Sequence, residues 1–275
     1  MAIKDLLVHL EAGEAGAATI EFALSLATQT GAHLTAAGIA LQYMPMSSIE
    51  DAGTYEVFAR LTDESRADVE AAYKVFAAAA PANVQTDFVL IETLAQLARD
   101  KFGELGRHFD ISIVGQGNPE IDDEQDLMVQ GALLVSGKPV FVVPFIHKGP
   151  AKLGKAMACW DGSAPAARAI DGAMPLLQRA GRVELVRIED KGEKPEELPG
   201  FNMTRHLARH GVTASLRELP PAKDIGAALL SYAADSGADY VVMGGYGHWK
   251  MTELVFGGAT RTILSSMTLP VFMAH

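Results

Sequence analysis

The chain is 275 residues long, 49% hydrophobic and 21% charged, with 34 acidic residues against 23 basic ones and a formal net charge of -11. That balance gives no electrostatic support to a nucleic-acid or anionic-membrane surface, so neither partner is expected and any bound anion must be held by local geometry. No apolar run approaches the roughly 18 residues of a membrane span, no leader-like pattern is present, and a single cysteine, Cys159, excludes an internal disulfide and a cysteine-rich zinc site. The chain reads as soluble and cytoplasmic, with Cys159 an inert thiol inside an apolar run.

The first predicted element is a strand at 6–11, Leu-Leu-Val-His-Leu-Glu, which ends on the acid Glu11 with a glycine two residues on. An Ala-rich helical pattern over 17–27 and a second strand at 33–41 follow. Residues 42–65 read as a long insert, in which Tyr43, Met44 and Met46 either pack into the core or line a pocket for an apolar ligand. A strand at 108–115 closes on Gly115, and 118–126 then carries five carboxylates, with no Lys or Arg between Gly115 and Gly137. Those charges repel a triphosphate, and they lack the alternating spacing and central glycine of an EF-hand, so the segment reads as a solvated acidic loop. A short strand at 139–143, Pro-Val-Phe-Val-Val, ends this half.

After a brief linker at 146–153 the same order begins again. Residues 156–161, Ala-Met-Ala-Cys-Trp-Asp, form a strand that ends on Asp161; a helical pattern covers 164–178 and a strand 183–188. Residues 189–201, rich in Lys, Glu and Pro, read as an exposed loop. His206 and His210 lie one helical turn apart without a third ligand nearby, so no metal is expected. A strand at 238–244 leads into a glycine-rich stretch, and Pro-Val-Phe returns at 270–272. Short, nearly all-apolar strands alternating with helices indicate parallel sheets covered on both faces. The expected fold is α/β: two tandem Rossmann-like, doubly wound domains, at 1–148 and 149–275, each with a five-stranded parallel sheet sandwiched by helices.

The glycine-rich stretch carries the chemistry. Gly244, two residues, Gly247, nine residues, then Gly257 and Gly258 lie between a strand end and a helix start, where bare backbone N–H groups and a helix dipole favour an anion. His248 and Lys250 are cationic residues placed to face a phosphate. Thr260, in the first turn of the following helix, either reaches that anion or serves the local backbone. Asp161, at a strand's carboxyl edge, either accepts from a ribose hydroxyl or adenine amine or caps the next helix, a role Ser163 can equally fill. No P-loop, Rossmann Gly-x-Gly-x-x-Gly, nucleophile elbow or His-Glu-x-x-His helix is present.

These residues resemble the universal stress protein family in its tandem form, whose nucleotide pattern is Gly, two residues, Gly, nine residues, Gly, then Ser or Thr. Gly244, Gly247 and Gly257 fall on it in register, Trp160-Asp161-Gly162-Ser163 is similar to the family's Val-Asp-Gly-Ser, and the likeness runs through both halves. The resemblance implies an adenine nucleotide alpha hydrolase-like fold and an adenine nucleotide, ATP with or without Mg2+, held by Asp161, Ile188, Met243, Gly244, Gly247, Gly257, Gly258 and Thr260. Gly258 stands where the family commonly has Ser or Thr, which removes one phosphate-binding hydroxyl, and Glu11 with no nine-residue glycine spacing sets half one apart. The resemblance further implies an intramolecular pseudo-dimer of the halves, pairing 139–143 with 270–274, and allows a homodimer. The implied function is a stress-response sensor or regulator that binds nucleotide in its C-terminal half. Hydrolysis is slow at most, since His248 is the one titratable residue of the loop with a useful pKa and no general base is evident. The alternative is a nucleotide-independent interaction module that works through dimerisation or a partner surface.

Overall fold

The computed structural model describes residues 2–44, 52–117, 124–189, 202–245 and 258–275. Half one contains β1 (Asp5–His9), α1 (Gly13–Thr30), β2 (His33–Gln42), α2 (Ala52–Ala79), β3 (Thr86–Leu94), α3 (Ala95–Gly106), β4 (Ile111–Gly115), α4 (Glu124–Gln130), a π-helical turn (Gly131–Val135) and β5 (Val140–Val143). Half two contains β6 (Lys155–Cys159), α5 (Ala164–Leu177), β7 (Arg182–Ile188), α6 (Met203–Arg209), β8 (Ala214–Leu219), α7 (Ile225–Ser236), β9 (Tyr240–Gly244), α8 (Gly258–Ser266) and β10 (Val271–Ala274). The strand–helix alternation expected from the sequence is present in both halves, with five strands in each.

The chain divides into two compact units whose boundary is not the repeat boundary. One gathers Ile3–Lys138 with Phe145–Ala151, the other Pro139–Pro144 with Lys152–His275. In the first unit four parallel strands lie in the order β3-β2-β1-β4, with Leu7 opposite Thr35 on one side and Ser112 on the other. In the second, five parallel strands lie in the order β10-β9-β6-β7-β8, and β5 adds antiparallel to β10, Phe141 opposite Phe272. The pairing of 139–143 with 270–274 therefore occurs, and it places the last strand of half one in the unit built by half two. Phe141 meets Phe272 edge-on at 5.1 Å between ring centres and Tyr240 at 6.0 Å, an aromatic contact that fixes this antiparallel register.

The central strands are apolar runs because both their faces are covered. Leu6, Leu7 and Val8 of β1, Val140 to Val143 of β5 and Tyr240 to Val242 of β9 are all fully buried. Helices start and stop where the backbone needs help. The Ser163 side chain caps α5 by accepting from the Ala166 N–H at 3.2 Å, the Asp224 side chain caps α7 by accepting from the Ala227 N–H at 3.0 Å, and α1 stops on Gly31 in the left-handed region at φ 68°.

One expectation is corrected. Most of the stretch read as an insert at 42–65 is the opening of α2, a 28-residue helix beginning at Ala52. Its apolar stripe, Val69, Ala72 and Phe76, is buried and begins beyond the region read as insert, so the exposed early turns carry little periodic signal. Met44 is exposed, which removes it from any core or pocket, while Tyr43 is half-buried and its N–H donates to the Thr62 hydroxyl at 3.1 Å; Met46 lies outside the described residues. Among the described residues no helix is long and apolar enough to cross a membrane.

Candidate functional site

In the second unit β6 lies between β9 and β7, so the connection leaving β6 passes to one side and β9 stands on the other. That is the switch in strand order where an open parallel sheet leaves a crevice beyond its carboxyl ends. The chain puts Asp161 just past β6, Ile188 at the end of β7 and Met243 and Gly244 at the end of β9, so four of the predicted residues come from three neighbouring strands at one edge of the sheet. Because β9 and β10 are parallel, the helix between them starts at that same edge, which places Gly258 and Thr260, in the first turn of α8, on the same side of the sheet. Gly247, His248 and Gly257 lie outside the described residues, as does Lys250.

The local chemistry separates the readings left open by the sequence. Ser163 is the helix cap, and Asp161 instead accepts from the Ser163 N–H at 2.9 Å through Oδ1, closing a turn over Gly162, whose φ of 80° is in the left-handed region. Asp161 itself is exposed beyond the strand end. Thr260 is only 4% exposed, enclosed in the packing of α8. Gly258 is exposed, and a Cβ added there would meet no atom within 4 Å.

Gly244 has a tighter reason to be glycine. A Cβ there would stand 2.5 Å from the Ala166 nitrogen, 2.7 Å from the Pro165 carbonyl carbon and 2.8 Å from the Pro165 Cβ. The end of β9 therefore rests directly on the first turn of α5, bringing a strand exit against a helix N-terminus and its dipole. Cys159, one strand over, is half-buried; desolvation first and the Asp161 charge second push its thiol pKa up to about 12, which favours the protonated form.

At the corresponding edge of half one Glu11 follows β1. Its carbonyl is so close to α1 that a Cβ on Gly16 would overlap it at 1.8 Å. Beside it, Glu11, Ala12, Gly13, Ala17 and Ile20 face Ala71, Ala72 and Val75 of α2 across a small, mostly apolar cleft of about 70 Å³. Past β4, Gln116 is buried, and its Oε1 accepts from the Phe145 N–H at 3.3 Å. The acidic stretch at 118–123 lies outside the described residues.

Two features escaped the sequence reading. His275 places Nδ1 3.1 Å from the Gly245 carbonyl at the root of the glycine stretch; its position three residues beyond Pro-Val-Phe was the available signal. Glu184 is a buried carboxylate in β7 that accepts from the Tyr232 hydroxyl at 2.8 Å and lies near the side chains of Lys155 and Arg182. A single glutamate within an apolar strand is the sign of such a pair. Among the described residues no cluster of three or more His, Cys, Asp or Glu is placed to hold a metal.

No protein-family model and no curated protein matches the chain. Solved structures do. A universal stress protein from Archaeoglobus fulgidus superposes with a TM-score of 0.71 at 13% identity, over 98% of this chain and 95% of that one. A universal stress protein from Pseudomonas aeruginosa gives 0.57 at 16% identity over 98% and 92%, and a protein of unknown function from the same organism gives 0.58 at 16% over 98% and 92%. Across 98% of its length, the chain has the tandem α/β fold of the universal stress proteins.

Proposed function

We propose that this chain is a tandem universal stress protein of the cytoplasm that binds ATP or another adenine nucleotide in its C-terminal half and acts as a stress-response sensor or regulator, with hydrolysis slow at most. The observation that carries this reading is the asymmetry between the halves. The C-terminal crevice joins an exposed acid past β6, a strand end seated on a helix N-terminus and, in sequence, the complete Gly244, Gly247, Gly257 spacing. Half one has the same strand exits but Glu11 at the acid position, a buried Gln116 past β4 and, in sequence, five carboxylates in the stretch that follows. In this reading Asp161 takes the adenosine part, the backbone at Ile188 lies by the adenine, and Met243 and Gly244 lead into a loop in which Gly247, His248, Gly257 and the α8 start at Gly258 hold ribose and phosphates. With Thr260 enclosed and Gly258 lacking a hydroxyl, the backbone N–H groups of the first turn of α8 are the principal donors offered to phosphate. Mg2+ would accompany ATP as its counter-ion, without a protein cage of its own. The functional division follows the repeat, 1–148 and 149–275, even though β5 folds with the second unit.

Titration calorimetry with ATP and Mg2+ tests it. About one site per chain is expected, lost on Gly247→Val or Gly257→Val; two equal sites, or unchanged binding in both variants, overturns it. The second reading is an interaction module without nucleotide, working through dimerisation or a partner surface, and the missing hydroxyl at Gly258 favours it. Purified protein free of nucleotide, with no thermal shift at millimolar ATP, decides for that reading.

A further inference from the structure

We propose that His206 and His210, on the C-terminal turn of α6, form a two-imidazole site for a divalent late first-row transition-metal ion. The two residues are four apart in the sequence, which puts them one above the other on the same face of the helix. Their ring centres are 4.7 Å apart and their planes are inclined at 50°, so the imidazoles lie side by side without stacking. A metal bonded at about 2.0–2.1 Å to a ring nitrogen stands about 3.2 Å from that ring's centre, and two rings sharing one ion at about 90–110° have centres about 4.5–5.2 Å apart. The observed spacing of 4.7 Å falls inside that range, so one ion can be shared with little change in the separation of the rings.

The backbone beneath the pair is held in place. The His206 N–H donates to the Asn202 carbonyl at 3.1 Å, in a helix start that the Asn202 side chain caps by accepting from the Arg205 N–H at 2.8 Å. The His210 N–H donates to the Leu207 carbonyl at 3.0 Å, and the His210 carbonyl accepts from the Gln178 side-chain amide at 2.9 Å. Leu207, between the two histidines, is fully buried and anchors the turn. The imidazoles themselves are exposed, and among the described residues neither ring makes a hydrogen bond or an ion pair, so no partner is surrendered when a metal binds. With the backbone already ordered, the second ring joins an ion held by the first at a low entropic cost.

The donor set selects the class of ion. Arg205 and Arg209 flank the pair in the sequence, and Ca2+ or Mg2+, which need carboxylate and carbonyl oxygens, find none here to offset those charges. Neutral imidazole nitrogen suits Zn2+, Cu2+ and Ni2+, which it binds through a lone pair. Among the described residues no third His, Cys, Asp or Glu joins the two, so water fills the remaining positions and the ion is exchangeable. Because β8 runs parallel to β7, the chain leaving α6 enters the sheet at its amino-terminal edge, whereas Asp161, Ile188 and Gly244 lie at the carboxyl-terminal one. The ion would staple the last turn of α6 just ahead of β8, and its occupancy does not depend on a nucleotide.

The test titrates Ni2+ into the untagged chain by calorimetry, in wild type, His206→Ala, His210→Ala, the double variant and a His108→Ala control, with urea unfolding in parallel. A single ion per chain is expected in wild type. Two linked ligands gain about a hundredfold over one, so each single variant should weaken binding about a hundredfold and the double variant little more. His108→Ala, which removes an exposed imidazole elsewhere, should change nothing. All the replaced side chains are exposed, so the metal-free urea midpoints should match wild type. Saturating Ni2+ should raise the wild-type midpoint by about 1 M and leave that of the double variant where it is. A wild type that binds no Ni2+ overturns the proposal, and so does equal binding in wild type and the single variants, which assigns the ion to another site. Losses below about threefold that add in the double variant overturn it as well, since they describe two separate rings. A wild-type midpoint unmoved by saturating Ni2+ does the same, because the ion then has no preference for the folded pair.

Discussion

Replacing Gly244 by alanine should destabilise the C-terminal unit whether or not nucleotide is present. The added Cβ would lie 2.5, 2.7 and 2.8 Å from three atoms of Pro165 and Ala166, two of them backbone, where ordinary contact begins near 3.4 Å. Roughly 1 Å of separation must be found, and neither side is free to give it. β9 is held by β10 on one side, with Gly244 opposite Ala274, and by β6 on the other, with Val242 opposite Ala158; the start of α5 is held by the Ser163 cap. Overpacking of this kind costs about 1–3 kcal/mol, and backbone obstruction on both sides argues for the upper end, about 3 kcal/mol. Both tryptophans, Trp160 and Trp249, are in the C-terminal half, so their fluorescence in a urea titration reports on it. With a slope of about 1–3 kcal/mol/M, the midpoint should fall by roughly 1–3 M. Gly258→Ala, where a Cβ meets nothing within 4 Å, is the control and should leave the midpoint within about 0.5 kcal/mol of wild type. A Gly244→Ala protein as stable as wild type would refute the packing argument and leave ligand contact as the sole reason for a glycine there.

Three further outcomes follow from buried polar groups. Tyr240 is fully buried and, among the described residues, its hydroxyl has no hydrogen-bond partner, so Tyr240→Phe should be neutral or stabilise by up to about 1–2 kcal/mol; a loss above about 1 kcal/mol in urea would show a hidden partner. For Glu184, burial alone raises the pKa, but the Tyr232 hydrogen bond and the charges of Lys155, Arg182 and Arg217 outweigh it, leaving the folded value below the ordinary carboxylate range. Its stabilising contribution is therefore complete above the unfolded value, about 4.3, and disappears as pH falls through the folded one. Glu184→Gln should cost about 3 kcal/mol at pH 7 and progressively less toward acid, and a deficit independent of pH would contradict the assignment. Cys159, its thiol held protonated by burial, should resist thiol reagents at pH 8 in the native protein and react fully in urea; stoichiometric labelling without denaturant would count against it.

The elements legible in the sequence are those buried on both faces. β1, β2, β4, β5 and their partners in half two stand out as short apolar runs, because parallel strands under helices admit few polar residues. β3 and β8 did not stand out, and their position explains why. Each ends its order of strands, and residues such as Asp87, Glu92, Arg217 and Glu218 keep their patterns mixed. The opening of α2 was read as an insert because its buried stripe starts only near Val69. At the site, the glycine spacing was legible but its causes were not. Gly244 is required by Pro165 and Ala166, nearly eighty positions earlier in the chain, and the Gly245 carbonyl meets the ring of His275, thirty positions later; neither distance leaves a trace in a local pattern. Whether Asp161 or Ser163 caps α5 depended on which oxygen meets the Ala166 N–H, which residue types alone leave open.

The antiparallel seat of β5 against β10 sets an order of events during synthesis. Val142 and Val271 face each other across about 130 residues of chain, a separation that makes their pairing slow to find and late to form. At ribosomal speeds of about 5–20 residues per second, Val140 to Val143 emerge on the order of ten seconds before their β10 partner exists. Throughout that interval a fully apolar strand must be shielded by something other than its final neighbour, while the strands of the first unit can already close on one another. The second unit cannot complete its sheet until β10 is outside the ribosome, so a stall or cleavage after β9 would strand β5 with an open edge and make the nascent chain prone to aggregation rather than half-functional.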